Sequence, residues 1–272
     1  MKTIILATDF SPMANQAAMF ANQLAHDQKA SLILLHIYQG WATDPARTDD
    51  VFRSEDTVRA NSEEALQRLA DTLGEGGMAV PIRCIAHEGS VKATLRLVSQ
   101  SEGADLLMMS TVGSTPRTAQ IMGSVASELI AETEIPLLLI PPGVTYGGLK
   151  NVVLCINLAA PPDTIAFGRA LGFSRSFGSV INVLCVSYNM DDADTHEQAK
   201  QIRQLLIQQP HTFTINAGEG EIHDTLLNFA HDSKANLIMM LPQMRNWFWK
   251  LFSEGETQRM ARLTDIPLLA VV

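Results

Sequence analysis

The chain has 272 residues, 46% apolar and 18% charged, which excludes an intrinsically disordered chain and leaves room for one large domain or two ordinary ones. Its 20 basic and 29 acidic side chains give a formal charge of −9, a field that repels nucleic-acid backbones but not a small nucleotide held by local N–H donors. No stretch has the length of a signal sequence or of a bilayer span, so the expectation is a soluble, cytoplasmic protein with no membrane partner.

In chain order, apolar runs at 3–8, 31–38, 80–87, 105–111 and 136–141 read as strands, several of them apolar nearly throughout, as strands covered on both faces are. Between them, 13–27 places Ala17, Phe20, Ala21 and Leu24 on one helical face, and 90–102 opens with Ser90 as a candidate N-cap and aligns Val91, Leu95 and Val98. A polar insertion at 39–56 follows the second strand. Strand–helix alternation of this kind implies right-handed crossovers and a mostly parallel sheet with helices on both faces.

The pattern is then written again. Lys2 to Asp9 (KTIILATD) returns as Lys150 to Asn157 (KNVVLCIN), Ala104 to Ser110 (ADLLMMS) as Ala235 to Leu241 (ANLIMML), and Glu134 to Ile140 (EIPLLLI) as Asp265 to Val271 (DIPLLAV). The spacing between partners shrinks after the first pair, so the second copy lacks residues in its middle, where the first carries its polar insertion. Strands are expected at 152–156, 180–186, 211–216, 237–241 and 267–272. The fold class is therefore α/β, two tandem doubly wound domains of five strands each, 1–146 and 147–272, joined where Gly147-Gly148 offers a flexible junction.

Ligands of open parallel sheets sit beyond the carboxyl ends of the strands, where the strand order reverses. Asp9-Phe10-Ser11, Ile37-Tyr38 and Val112-Gly113 reach that edge in the first copy. Gly113 opens the loop GSTPRTAQIMGS, whose Gly123-Ser124 leads into a helix carrying Val125, Leu129 and Ile130. A glycine and serine at a helix start expose N–H groups at its positive end, suited to a phosphate, though the pair also caps ordinary helices.

On Ala7-Thr8-Asp9-Phe10-Ser11, Leu35-His36-Ile37, the loop from Gly113 to Ser124 and the closing Glu134-Ile135-Pro136, seen twice in outline, the whole chain resembles the universal stress protein family in its tandem form. The resemblance implies a Rossmann-like fold of the HUP class and a non-enzymatic stress-response protein. It further implies a site for an adenine nucleotide, ATP with Mg²⁺, formed by Ala7, Asp9, Ile37, Val112, Gly113, Gly123, Ser124 and Val125. Asp9 would approach ribose and metal-bound phosphates, and the backbone of Ile37 would meet adenine. The family's phosphate loop, Gly-x2-Gly-x9-Gly-Ser/Thr, is kept only in part: Pro116 replaces the second glycine, and the loop is shorter. Proline has no N–H to donate.

In the second copy Asn157 replaces Asp9, and Trp247, Phe248, Trp249 and Phe252 occupy the loop after the fourth strand. That half is expected to bind no nucleotide; its aromatics pack internally or meet a protein partner. The resemblance also implies an internal pseudo-dimer, with 136–141 against 267–272, and leaves a further homodimer open. The alternative is a ligand-free scaffold with both sites lost. Other motifs carry less. Cys84, Cys155 and Cys185 read as buried free thiols, His36 as a satisfied strand residue, and Glu63-Glu64 as a solvated helix face. No nucleophile elbow or Walker loop is present, and no histidine pair has zinc-helix spacing.

Overall fold

In a computed structural model, the residues described are 1–39, 55–113, 126, 129, 133–158, 163–187, 193–216, 222–241 and 265–272. The first half contains β1 (Thr3–Ala7), α1 (Pro12–Gln28), β2 (Ser31–Tyr38), α2 (Glu55–Gly74), β3 (Ile82–Glu88), α3 (Val91–Ser101), β4 (Leu106–Ser110) and β5 (Leu137–Ile140). The second contains β6 (Asn151–Asn157), α4 (Thr164–Phe177), β7 (Val180–Val186), α5 (Ala193–Leu205), β8 (His211–Asn216), α6 (Ile222–Asp232), β9 (Leu237–Met240) and β10 (Leu268–Ala270).

The ten strands form one sheet in the order β3-β2-β1-β4-β5-β10-β9-β6-β7-β8. Every neighbouring pair is parallel except the central one, where β5 and β10 run antiparallel with Leu139 opposite Leu268, Leu138 opposite Leu269 and Leu137 opposite Ala270. Each half is thus doubly wound, and the expected pairing of the two last strands is present. Without it both would be bare apolar edges; joined, the side chains of β5 and β10 are buried throughout.

The sheet separates two core layers. One packs α1, α2, α4 and α5 against side chains such as Ile4, Leu34, Leu138, Leu154 and Leu269. The other packs α3, Ala126, Leu129 and α6 against Ile5, Leu35, Leu107, Leu139 and Leu268. Both layers run unbroken across the β5–β10 seam, because alternate residues of a strand face opposite sides. Burying each such leucine is worth about 1.5–3 kcal/mol.

Local sequence sets the helix ends. Ser11 caps α1 by accepting from Ala14 N–H at 3.2 Å, Pro12 needs no partner in the first turn, and Lys29 ends the helix in the left-handed conformation. Asp163 caps α4 through Ile165 and Ala166 N–H, and Gly178 closes it with φ +61°. Ser90 stands at the N-cap of α3 in extended conformation, yet its side chain makes no cap hydrogen bond; only its carbonyl is used, by Thr94 N–H. Glu63 and Glu64 face outward from α2, paired with Arg59 and Arg68 one turn away.

The junction is anchored on both sides of its glycines. Gln16 reaches from α1 to Gly143 N–H and Val144 carbonyl, Tyr146 stacks edge-on against Phe20 and donates to Asp27, and Leu149 is buried. Burial, then the Asp27 carboxylate, raises the Tyr146 pKa. Gly148, at φ +85°, supplies the left-handed residue the turn needs. Among the described residues, no helix is long and apolar enough to cross a membrane.

Candidate functional site

In the first half the strand order reverses between β1 and β4, which opens a crevice at their carboxyl ends. The chain leaving β1 makes a tight turn stabilised by its own side chains. Thr8 Oγ1 accepts from Phe10 N–H at 3.1 Å, and Asp9 Oδ1 accepts from Ser11 N–H at 3.0 Å. Phe10 adopts φ +60°, uncommon for a bulky residue and a conformation that stores strain. Its ring lies 4.4 Å from that of His36, whose Nδ1 is 2.8 Å from the Thr8 carbonyl. His36 is therefore a satisfied strand residue that also seats the turn.

This turn leaves Asp9 exposed at the mouth of the crevice. Across from it, Gly113 follows β4: a Cβ on Gly113 would come within 2.8 Å of Asp9 Oδ2, closer than real side chains approach. A Cβ here would displace the end of the Asp9 side chain, while the backbone of Gly113 itself makes no demand for glycine. Val112 is buried beneath, its N–H donating to Ser110 Oγ at 3.3 Å.

Ala7 and Ile37 are half-buried on the α3 face of the sheet. Leu35 gives its carbonyl to Thr8 N–H at 2.9 Å, whereas Tyr38 gives its own to Gly89 N–H on the other side. By strand alternation, Ile37 directs its backbone groups to the same side as Leu35, beyond the last β1–β2 pair at Ala7 and Leu35. Ala7, Asp9, Ile37, Val112 and Gly113 are thus gathered at one sheet edge. Gly123, Ser124 and Val125 lie outside the described residues, as do Pro116, the 40–54 part of the insertion and the aromatic segment at 247–252. The sequence reading missed Phe10; its only signal was a Thr-Asp-Phe-Ser string rich in turn-forming side chains.

The matching position in the second half is buried. Asn157, in the place of Asp9, is only 6% exposed, and Cys155, Ile156 and Val186 around it are buried. Register places Cys185 where the first half has His36, since Ile156 lies opposite Cys185. Burial pushes the Cys185 thiol up to about 12, against a smaller lowering by Arg203, and raises that of Cys155 as well. Cys84 differs from the expectation: it sits on edge strand β3 and is only half-buried. Among the described residues, no group of three or more His, Cys, Asp or Glu could hold a metal ion by itself.

The model of the universal stress protein family matches residues 1–141. Among solved structures, a universal stress protein from Archaeoglobus fulgidus is 15% identical with a TM-score of 0.68, covering 99% of this chain and 97% of its own. A functionally unknown protein from Pseudomonas aeruginosa PAO1 is 14% identical with a TM-score of 0.60, covering 100% and 92%. A putative universal stress protein from Pseudomonas aeruginosa UCBPP-PA14 gives 14%, 0.60, 100% and 93%. No curated protein matches the chain. The family match over the first half and the whole-chain likeness in fold, with both halves in one sheet, identify the chain as a tandem member of the universal stress protein family.

Proposed function

We propose that the first half binds an adenine nucleotide, ATP with Mg²⁺, in the crevice between β1 and β4, and that the protein acts in a stress response without catalysing a reaction. The carrying observation is the approach of the exposed Asp9 carboxylate to Gly113, a cradle that any Cβ would fill. Ala7 and the backbone of Ile37 line the base side, and Gly123, Ser124 and Val125 supply N–H groups to phosphate. Mg²⁺ fits this donor set through the nucleotide's phosphates plus the single carboxylate of Asp9, the manner in which it commonly binds. Among the described residues no cluster of metal-binding side chains stands beside Asp9, and in this reading occupancy acts by biasing conformation or partner choice. The domains divide as 1–146 and 147–272, the second serving packing and protein contacts.

The test is a thermal melt of the full chain with and without millimolar ATP–Mg²⁺, with chromatography of any small molecule released on denaturation. A ligand at 100 times its Kd stabilises by about 2.7 kcal/mol, a shift of several degrees. Neither shift nor released nucleotide would leave the ligand-free scaffold. Phosphate release that Asp9→Ala abolishes would overturn the non-catalytic reading.

A further inference from the structure

At the opposite edge of the same half, near the amino ends of β4 and β5, a cavity of about 480 Å³ lies between α3 and the sheet. Leu95, Leu107, Leu129 and Ile135 line it with hydrocarbon. Among them stands Ser99, 5% exposed, whose Oγ has no hydrogen-bond partner among the described residues. A buried orphan hydroxyl lowers stability, so its presence calls for a reason.

The second half shows that the fold does not need it. Ala104 N–H donates to the Ser99 carbonyl at 3.0 Å and Ala235 N–H to the Ala230 carbonyl at 2.9 Å, so Ala230 occupies the equivalent position and is fully buried. One turn earlier, Leu227 is buried where the first half has Arg96. The rim contact is common to both: Gln100 donates to Glu134 at 2.7 Å, and His231 lies 3.1 Å from Asp265. What distinguishes the first half is a hydroxyl and a guanidinium where its copy has hydrocarbon.

We propose that this cavity binds a small amphipathic carboxylate, its charged end on Ser99 Oγ and Arg96 and its hydrocarbon against the four apolar side chains. Arg96 is already paired with Glu134, but a guanidinium has five N–H donors and serves two carboxylates. The volume lies in the range of ordinary small-molecule sites.

Octanoate is the probe, with acetate and 1-octanol as partners lacking the chain or the charge, titrated calorimetrically into the full chain. Octanoate is expected to bind at one site and to raise Tm, with the other two at least tenfold weaker. Ser99→Ala is expected to melt higher than the parent without ligand, bind octanoate about tenfold more weakly, and respond to ATP–Mg²⁺ as the parent does; Arg96→Gln also weakens octanoate. The proposal is overturned if octanoate leaves Tm unchanged, if octanol binds as well, or if Ser99→Ala binds octanoate as tightly. It also falls if Ser99→Ala melts lower, since the hydroxyl would then be satisfied.

Discussion

The two halves share strand order, crossover pattern and core, and differ where their sheets end. In the first, β1 runs out into an exposed carboxylate facing a glycine; in the second, the matching asparagine is buried among Cys155, Ile156 and Val186. One architecture ends its first strand in an exposed carboxylate in one half and a buried amide in the other, with the strand order unchanged. The cavity under α3 follows the same rule at the other edge, with Ser99 and Arg96 set against Ala230 and Leu227.

The comparison breaks most completely at the seam. Leu269, fully buried opposite Leu138, carries one core layer across the seam between the halves, and Leu269→Ala is expected to cost about 2–5 kcal/mol in denaturant unfolding of the whole chain. Next comes Asn157→Asp, which writes the first half's residue into the second. In a site this buried a carboxyl group has a raised folded-state pKa, so the variant loses stability as pH rises through that value. At pH 7 the loss should reach about 1–3 kcal/mol and shrink on acidification, whereas Asp9→Asn, at an exposed position, should leave the melt unchanged.

Gly113→Val tests the open crevice directly. Its Cβ would displace the end of a flexible side chain, so stability should change by less than about 1 kcal/mol while nucleotide affinity falls at least tenfold. Gly123→Val should do the same from the phosphate end. Smaller still is the effect of the tie between β1 and β4. Asp105 accepts from the N–H groups of Lys2 and Thr3; partial burial works against its charge, but these bonds and the Lys2 ammonium outweigh it and lower the pKa. Its contribution is present above the ordinary carboxylate pKa of about 3.9 and is lost as pH falls through the lowered value. The second half makes the same tie with Asn236, so Asp105→Asn should remove part of the acid limb of the stability curve. The least perturbing check is thiol labelling: Cys84 should react in the native state, and Cys155 and Cys185 only on unfolding.

Strands were legible because fully covered strands must be apolar, and the repeat was legible because each copy needs the same core. The β5–β10 pairing followed from two apolar strands that would otherwise be bare edges. Asp9 and Gly113 could be assigned to one edge from the crossover rule, but not that a Cβ on Gly113 would come within 2.8 Å of the Asp9 carboxylate, since proximity across a crevice leaves no trace in spacing. Phe10 was illegible for a different reason: its positive φ is imposed by Thr8, Asp9 and the His36 ring together. Ser90 reads as a cap because serine often is one, and here only its backbone serves. Ser99 gave no signal, as a serine within an amphipathic helix passes for an ordinary boundary residue.

The single chain crossing from Ile140 to Asn151 has a consequence for how the protein responds to dilution. Pairing β5 with β10 is an intramolecular event, so the joined sheet cannot come apart as concentration falls, as two separate copies would. In a symmetric pair of identical chains each substitution is made twice, once on either side of the axis. Fusion frees the molecule from that constraint: one half can keep a carboxylate exposed at a strand end while the other buries the residue in the same place, within a single gene product.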